Sequence, residues 1–302
     1  MTQNEWFFKR GELAQGDWQS VVDGERDGWQ HTGLRVAELT GAERLELAAG
    51  DVERIIIPLA GGPFQVEWSD ADDQGQTQRL DGRPGVFDGP TDVFYLGAGG
   101  SAVLSGTGRV AVAEAPTTQR FPACYIAKED VPVELRGTGR ASRQVHNFGT
   151  PAALEASKFI VCEVITPAEN WSSFPAHKHD ELVPGTEMPL EEIYYFETAV
   201  TKGAEELAPE NADPFALFAT YPSQAGDIHI NAIVRTGDVA LVPYGYHGPA
   251  AAAPGYDLYY LNVMAGPAEE RKWIVTDDPA HGWIRETWEG QELDSRLPYG
   301  DE

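Results

Sequence analysis

Two histidines, His177 and His179, are separated by the single residue Lys178. Side chains two positions apart on a β-strand project from the same face, so both imidazoles can reach one ion. A third histidine, His247, follows the apolar stretch Val239–Val242 and a Pro-Tyr-Gly turn. Imidazole nitrogens bind divalent transition metals, and the pattern therefore predicts a metal site formed by these three histidines.

A carboxylate ligand is expected from Glu191 or Glu192, which open an apolar, aromatic segment. Strand alternation lets only one of the two face the metal. An inward Glu192 brings Tyr194 and Phe196 inward, whereas an inward Glu191 would bury Glu197 as well. Burying an unpaired carboxylate is costly, so Glu192 is the predicted fourth ligand. Three imidazoles and one carboxylate suit Mn, Fe, Co, Ni or Zn rather than Ca or Mg.

The sequence around these ligands consists of many short segments with β-strand character, separated by turns rich in Gly, Pro and Asp. Such a pattern is typical of an all-β sandwich or barrel. The turn at 137–139 predicts a boundary between a domain of residues 1–138 and one of residues 139–302. The His-x-His motif occurs only after this boundary, so we expect one metal per chain and a metal-free N-terminal domain.

Composition excludes several partner classes. The 302 residues carry a formal net charge of -26, a field that repels nucleic acid and anionic lipid. The N-terminus lacks an apolar leader, and no apolar run is long enough to span a bilayer, so we expect a cytoplasmic protein. Cys124 and Cys162 lie in apolar segments and are predicted to be buried, reduced thiols.

Three segments carry a resemblance to a known family: NWSSFPAHKHDE at 170–181, EEIYYF at 191–196, and VPYGYH at 242–247 followed by YDLYYLNVMAG at 256–266. The segments SRQV at 142–145 and DDPAHGWI at 277–284 add to it. The chain resembles the cupin superfamily, and more closely the 5-deoxy-glucuronate isomerases of myo-inositol breakdown. The resemblance implies two tandem cupin barrels, which are double-stranded β-helices of the jelly-roll type, in one chain.

The resemblance also implies an intramolecular oxidoreduction that converts 5-deoxy-D-glucuronate to 2-deoxy-5-keto-D-gluconate, with the metal stabilising an ene-diolate. The expected partner is thus a small anionic sugar acid, and a homo-oligomeric assembly is left open. Three alternatives remain: a 4-deoxy-hexosulose-uronate isomerase of pectin breakdown, a cupin dioxygenase, and a sugar-binding cupin without catalysis.

Catalytic and substrate-binding residues are expected near the metal motifs. The candidates for a general base are Asp180, Glu181, Glu191 and Tyr194. An anionic substrate needs a local cation in so acidic a protein, because only nearby charges count at physiological ionic strength. Arg143, which lies in one of the family-like segments, and Lys178 are the predicted cations.

Overall fold

The fold is known from a computed structural model that describes residues 5–70 and 75–300. These residues form β-strands joined by turns, with four short 3-10 helices, which confirms the all-β prediction. Among them, no helix has the length and apolar character needed to cross a membrane.

The strands in chain order are β1 (Phe7–Phe8), β2 (Ser20–Val22), β3 (Gly33–Thr40), β4 (Leu45–Leu47), β5 (Val52–Ser69), β6 (Gln76–Leu80), β7 (Val93–Leu96), β8 (Ser101–Pro116), β9 (Cys124–Ile126), β10 (Val133–Arg136), β11 (Arg143–Gly149), β12 (Ile160–Thr166), β13 (Trp171–Ser172), β14 (His177–Lys178), β15 (Glu191–Val200), β16 (Ala216–Tyr221), β17 (Asn231–Val234), β18 (Val239–Val242), β19 (Tyr246–Ala252), β20 (Tyr256–Ala265) and β21 (Thr276–Asp277). The 3-10 helices are Lys128–Asp130, Gly139–Ala141, Glu205–Leu207 and Gly282–Trp288.

An eight-stranded antiparallel sheet contains β2 to β9 and is built on the long pair β5 and β8. The centre of this sheet is buried on both faces. Ile55 and Ile57 point into the main core of the molecule, whereas Ile56 between them points into a second, smaller core. The period-2 alternation of a strand separates these side chains, and a run of consecutive apolar residues is the expected sequence of a strand covered on both sides.

Two further sheets, formed mainly by strands after residue 139, make up what is called below the second half of the molecule. One has the order β1-β18-β15-β20-β12-β11-β10, and the other has the order β17-β16-β19-β14-β21, with β13 beside β19. Aromatic side chains fill the space between them: the ring of Phe218 lies 4.7 Å from that of Tyr194 and 5.2 Å from that of Phe196. Aromatic burial of this kind contributes much of the stability of a sandwich core.

Two strands that come before residue 139, β1 and β10, also lie in the first of these two sheets. Phe7 of β1 pairs with Ala240 of β18, and Val133 of β10 pairs with His146 of β11. The two halves are therefore interleaved along the chain, and they share the main core. The prediction for Cys162 agrees with its burial, but the prediction for Cys124 is wrong. Cys124 lies on β9, at the edge of the first sheet, and its side chain is exposed.

Candidate metal centre

Three segments bring the predicted ligands together. His177 on β14 is the direct cross-strand partner of His247 on β19, and His179 follows two residues later. Glu192 lies on β15 of the facing sheet. The turn before His247 requires a glycine, because Gly245 has a φ of +95° and the backbone there packs against Ile228.

The facing atoms of these residues are close enough to share one ion. The Nε2 atoms of His179 and His247 are 3.0 Å apart, and the Oε2 atom of Glu192 lies 3.0 Å from the first and 2.9 Å from the second. Ligand atoms of the three histidines all lie within 4.8 Å of one another. Adjacent ligands about 2.1 Å from an octahedral metal are about 3.0 Å apart, so these separations fit a metal.

The other ring nitrogen of each histidine faces a backbone carbonyl. The Nδ1 atom of His177 lies 3.3 Å from the carbonyl oxygen of Pro175. The Nδ1 atom of His179 lies 3.0 Å from that of Leu190, and the Nδ1 atom of His247 lies 2.9 Å from that of Gly245. A carbonyl only accepts hydrogen bonds, so each Nδ1 carries a hydrogen and Nε2 is the nitrogen that each ring can offer to an ion. Carbonyl partners of this kind fix the tautomer that a metal ligand requires.

The ionisation of the cluster also suits a cation. Burial raises the pKa of Glu192, but hydrogen bonds from His179 and His247 outweigh it and hold this pKa well below its usual range. Burial and the two neighbouring imidazoles lower the pKa of His177 well below its ordinary value. Burial opposes a charge on His179, but the Glu192 carboxylate outweighs burial and raises the pKa of His179, so metal binding would displace any proton from this imidazole.

A cavity of about 310 Å³ opens beside the cluster, with His177 and Glu192 in its wall. Its other polar and charged lining residues are Arg136, Arg143, Ser173, Tyr260, Asn262 and Arg285. Its apolar lining residues are Val145, Val164, Trp273 and Val275. The cavity thus joins the histidine cluster to three cations in a protein that is acidic overall.

The three arginines differ in their partners. Arg136 pairs with Glu134 at 2.8 Å, and Arg285 donates to both carboxylate oxygens of Asp277. Arg143 is 9% exposed and donates to the Ala141 carbonyl at 3.1 Å, but forms no ion pair with a carboxylate of the described chain. Burial lowers the pKa of Arg143 to about 10, which still leaves it charged at neutral pH.

The structure corrects the predicted role of Lys178, because strand alternation points it away from the histidines. Its Nζ atom donates to carboxylates of Asp180, Glu181 and Glu187 at 2.7, 2.7 and 2.9 Å. Asp180 and Glu181 are thereby held outside the cavity, and neither is placed to act as a base there. Asp180 instead accepts from the backbone N–H of Gly245 at 2.8 Å and so anchors the turn before His247.

Glu191 and Tyr194 are likewise outside the cavity lining. Glu191 faces the first sheet, where it accepts hydrogen bonds from the backbone N–H groups of Gln30 and His31. The Tyr194 ring is buried between the sheets, and its hydroxyl makes no hydrogen bond of good geometry within the described chain. Burial and the nearby Glu192 carboxylate raise the pKa of Tyr194 well above its ordinary value, so the phenol stays protonated at neutral pH and offers no phenolate to accept a proton.

Sequence reasoning missed five polar residues of the cavity: Arg136, Ser173, Tyr260, Asn262 and Arg285. Ser173, Tyr260 and Asn262 lie inside the family-like segments, but a serine, a tyrosine or an asparagine there is not distinguished from a structural residue by its type alone. Arg136 precedes the predicted boundary, and Arg285 is in the 3-10 helix Gly282–Trp288 near the C-terminus. Their approach to the metal cluster depends on long-range pairing, for which the sequence carried no local signal.

Comparisons with known proteins agree with this architecture. A 5-deoxy-glucuronate isomerase of Geobacillus thermodenitrificans is 35% identical over 270 residues, covering 88% of this chain and 90% of its own. The enzyme of the same name from Bacillus subtilis strain 168 is 36% identical over 220 residues, covering 71% of this chain and 75% of its own.

Solved structures show the same fold. The crystal structure of an IolB-like protein from Salmonella typhimurium superposes with a TM-score of 0.80 and 32% identity, over 93% of this chain and 99% of that one. Lactobacillus farciminis oxalate decarboxylase matches with a TM-score of 0.60 at 11% identity, over 92% of this chain and 89% of its own, and that likeness bears on the fold alone. The model of the KduI/IolB family matches residues 6–284, and this chain belongs to that family.

Proposed function

We propose that this protein is a metal-dependent isomerase that converts 5-deoxy-D-glucuronate to 2-deoxy-5-keto-D-gluconate. The observation that carries the proposal is a single cavity lined both by members of the ligand cluster, His177 and Glu192, and by Arg143, which has no carboxylate partner in the described chain. A sugar acid needs both features, one for its carbonyl and one for its carboxylate. Relatives about 35% identical over most of the chain bear the name of this enzyme.

The metal is a divalent transition ion, one of Mn, Fe, Co, Ni or Zn, and His177, His179, Glu192 and His247 hold it. Such an ion supplies Lewis acidity that polarises a sugar carbonyl. The backbone carbonyls behind the histidines keep the rings in the ligand tautomer. The ligand set lies in the second half of the chain, so one ion per chain is expected.

Arg143 binds the substrate carboxylate in this proposal. A buried guanidinium without an anionic partner has lost hydration, and a carboxylate restores its interactions through two parallel hydrogen bonds. Arg136 and Arg285 add positive potential in the same cavity, although each is already paired. The cavity therefore favours an anion despite the net charge of -26.

The decisive experiment is an assay with 5-deoxy-D-glucuronate before and after chelation of the metal. We expect turnover by the protein as purified, loss of turnover on chelation, and recovery when one of the five metals is restored. A parallel assay with the 4-deoxy-hexosulose-uronate substrate should be much slower. Consumption of O2 during turnover, or binding of the sugar acid with no conversion by metal-loaded protein, would contradict the proposal.

A further inference from the structure

The proposed isomerisation, on which this inference rests, moves two hydrogens. The C2–H and O2–H bonds break, and the C1–H and O1–H bonds form, so that an aldehyde and an alcohol become an alcohol and a ketone. The transfer between the two oxygens requires a group that can give a proton to one oxygen and take a proton from the other. A hydroxyl that faces the substrate oxygens and has a second hydroxyl as partner fits this requirement.

Tyr260 has this position. It lies on β20, the neighbour of β15 that carries Glu192, and its side chain lines the cavity together with Glu192 and His177. The ring packs 5.2 Å from the ring of Tyr194 and is 1% exposed, so its orientation is set by the core. A catalytic group on a rigid strand is better positioned than one on a loop.

The Tyr260 hydroxyl is hydrogen-bonded to the hydroxyl of Ser173 at 2.8 Å, and either oxygen can be the donor. Ser173 also lines the cavity. Its φ of +50° lies in the left-handed region, which is unfavourable for a residue other than glycine and recurs at functional sites. The surrounding backbone holds it there, since Ser173 packs against Gly248, immediately after the proposed ligand His247.

We propose that Tyr260 is a catalytic residue of this enzyme, and that with Ser173 it relays a proton from O2 to O1 of the substrate. The Tyr260 O–H bond breaks as its proton forms the O1–H bond. The Ser173 hydroxyl then donates its proton to the Tyr260 oxygen and accepts the proton released by O2. Both hydroxyls end as they began. The C2 hydrogen moves to C1 with its bonding electron pair, the O2–H pair becomes the C2=O2 π bond, and the C1=O1 π pair forms the O1–H bond.

The surroundings of Tyr260 favour this relay. Burial raises its pKa to about 12, so the phenol is protonated at neutral pH and can donate. The positive charge of Arg143 acts in the opposite direction and stabilises the oxygen when its proton leaves. Apart from the proposed ligands and the arginines, Tyr260 is the one ionisable side chain lining the cavity in the described chain.

The test is Tyr260→Phe, made in the metal-loaded enzyme and assayed with 5-deoxy-D-glucuronate. We expect kcat to fall about 100-fold, with KM within about threefold of wild type, because the ring that lines the cavity remains. Metal content and Tm should match wild type. Tyr195→Phe is the matched control: Tyr195 is a buried tyrosine of the adjacent strand that is outside the cavity lining, and this variant should keep its kcat.

A kcat for Tyr260→Phe within about threefold of wild type would overturn the relay while leaving the isomerase activity established. An equal loss in Tyr195→Phe would also overturn it, because the effect would then follow from removing any buried hydroxyl. If Tyr260→Phe fails to fold, 3-fluorotyrosine at position 260 retains the ring and the hydroxyl but makes the phenol more acidic. The relay predicts an altered kcat at unchanged KM, and an unaltered kcat would refute it.

Discussion

Arg83, in the loop that follows β6, and Glu163 on β12 form a bidentate ion pair with nitrogen–oxygen distances of 2.6 and 2.7 Å. Both side chains are almost fully buried. Glu163 also accepts a hydrogen bond from the Tyr259 hydroxyl at 2.7 Å and lies 2.6 Å from Nδ1 of His146. This network ties the two halves together across their common core.

Removing one member of that pair leaves an uncompensated charge in the core. We expect Arg83→Met to lower the free energy of unfolding by about 3 to 5 kcal/mol, the usual cost of breaking a buried pair from one side. Urea denaturation followed by fluorescence measures it. Arg44→Met is the matched control, because Arg44 pairs with Glu67 at the surface, and its denaturation midpoint should not change. Equal midpoints for the two variants would disprove the structural role of Arg83.

The same pair predicts how stability depends on pH. Burial raises the pKa of Glu163, but Arg83 and His146 outweigh burial and lower this pKa to about 2. The unfolded chain has the ordinary value of about 4.3. The stabilisation is therefore present above pH 4.3 and is lost as the pH falls toward 2. Glu163→Gln removes this titration, so its unfolding free energy should vary less between pH 5 and pH 3 than that of wild type.

The sequence predicted the all-β fold and the family because both depend on local patterns. Turn residues between short apolar segments indicate strands, and the family-like blocks are contiguous in the chain. Interleaving of the halves was not predictable in the same way. The pairing of Phe7 with Ala240 joins distant residues, and a two-residue strand carries too little pattern to specify its partner.

The candidate site shows the same division. The spacing of His177 and His179 predicted that their side chains approach each other, and alternation along one strand favoured Glu192 over Glu191 as their partner; the structure brings these side chains together. The same alternation points Lys178 away from the histidines, but its positive charge suggested that it binds the substrate. The sequence does not reveal that three carboxylates surround its ammonium group. Tyr260 was overlooked because a tyrosine in an apolar strand is usually part of a core.

One equivalent of transition metal per chain is the next expectation, measured by elemental analysis of protein purified without added metal. Another cluster of possible ligands, the carboxylates of Asp180, Glu181 and Glu187, should bind no metal, because the Lys178 ammonium already lies among them. His247→Ala should lose the metal and remain folded, since the aromatic core persists without an ion. Two equivalents, or metal retained by His247→Ala, would contradict the single site.

Glutamine substitutions separate the two adjacent glutamates. Glu192→Gln should lower metal affinity at least tenfold, because an anionic oxygen 3.0 Å from the His179 ring nitrogen becomes a neutral amide. Glu191→Gln should keep the metal and instead lower Tm, since Glu191 accepts backbone N–H groups of Gln30 and His31. Equilibrium dialysis against the metal and a thermal melt report the two effects. The reverse pattern would assign the ligand to Glu191.

The last prediction concerns the cation that binds the substrate carboxylate. Arg143→Lys keeps the charge but loses the planar fork, so KM should rise with little change in metal content. Arg143→Ala should lose more, on the order of 2 to 3 kcal/mol in kcat/KM, because a desolvated charged pair is removed. Arg143 also has a structural interaction, since its Nη1 atom donates to the Ala141 carbonyl at 3.1 Å.

Tm and KM distinguish these two roles of Arg143. A purely structural arginine predicts a lower Tm and an ordinary KM for the enzyme that remains folded. A carboxylate clamp predicts an unchanged Tm and a raised KM, and added salt should weaken substrate binding to wild type only modestly because the pair is shielded from solvent. Arg143 is 9% exposed and its guanidinium lies 5.8 Å from the Trp288 ring, whereas β11 pairs with β10 through its backbone, so either substitution leaves that strand pairing in place. A lowered Tm with normal KM would remove Arg143 from the site and leave Arg136 and Arg285 as the cations to test.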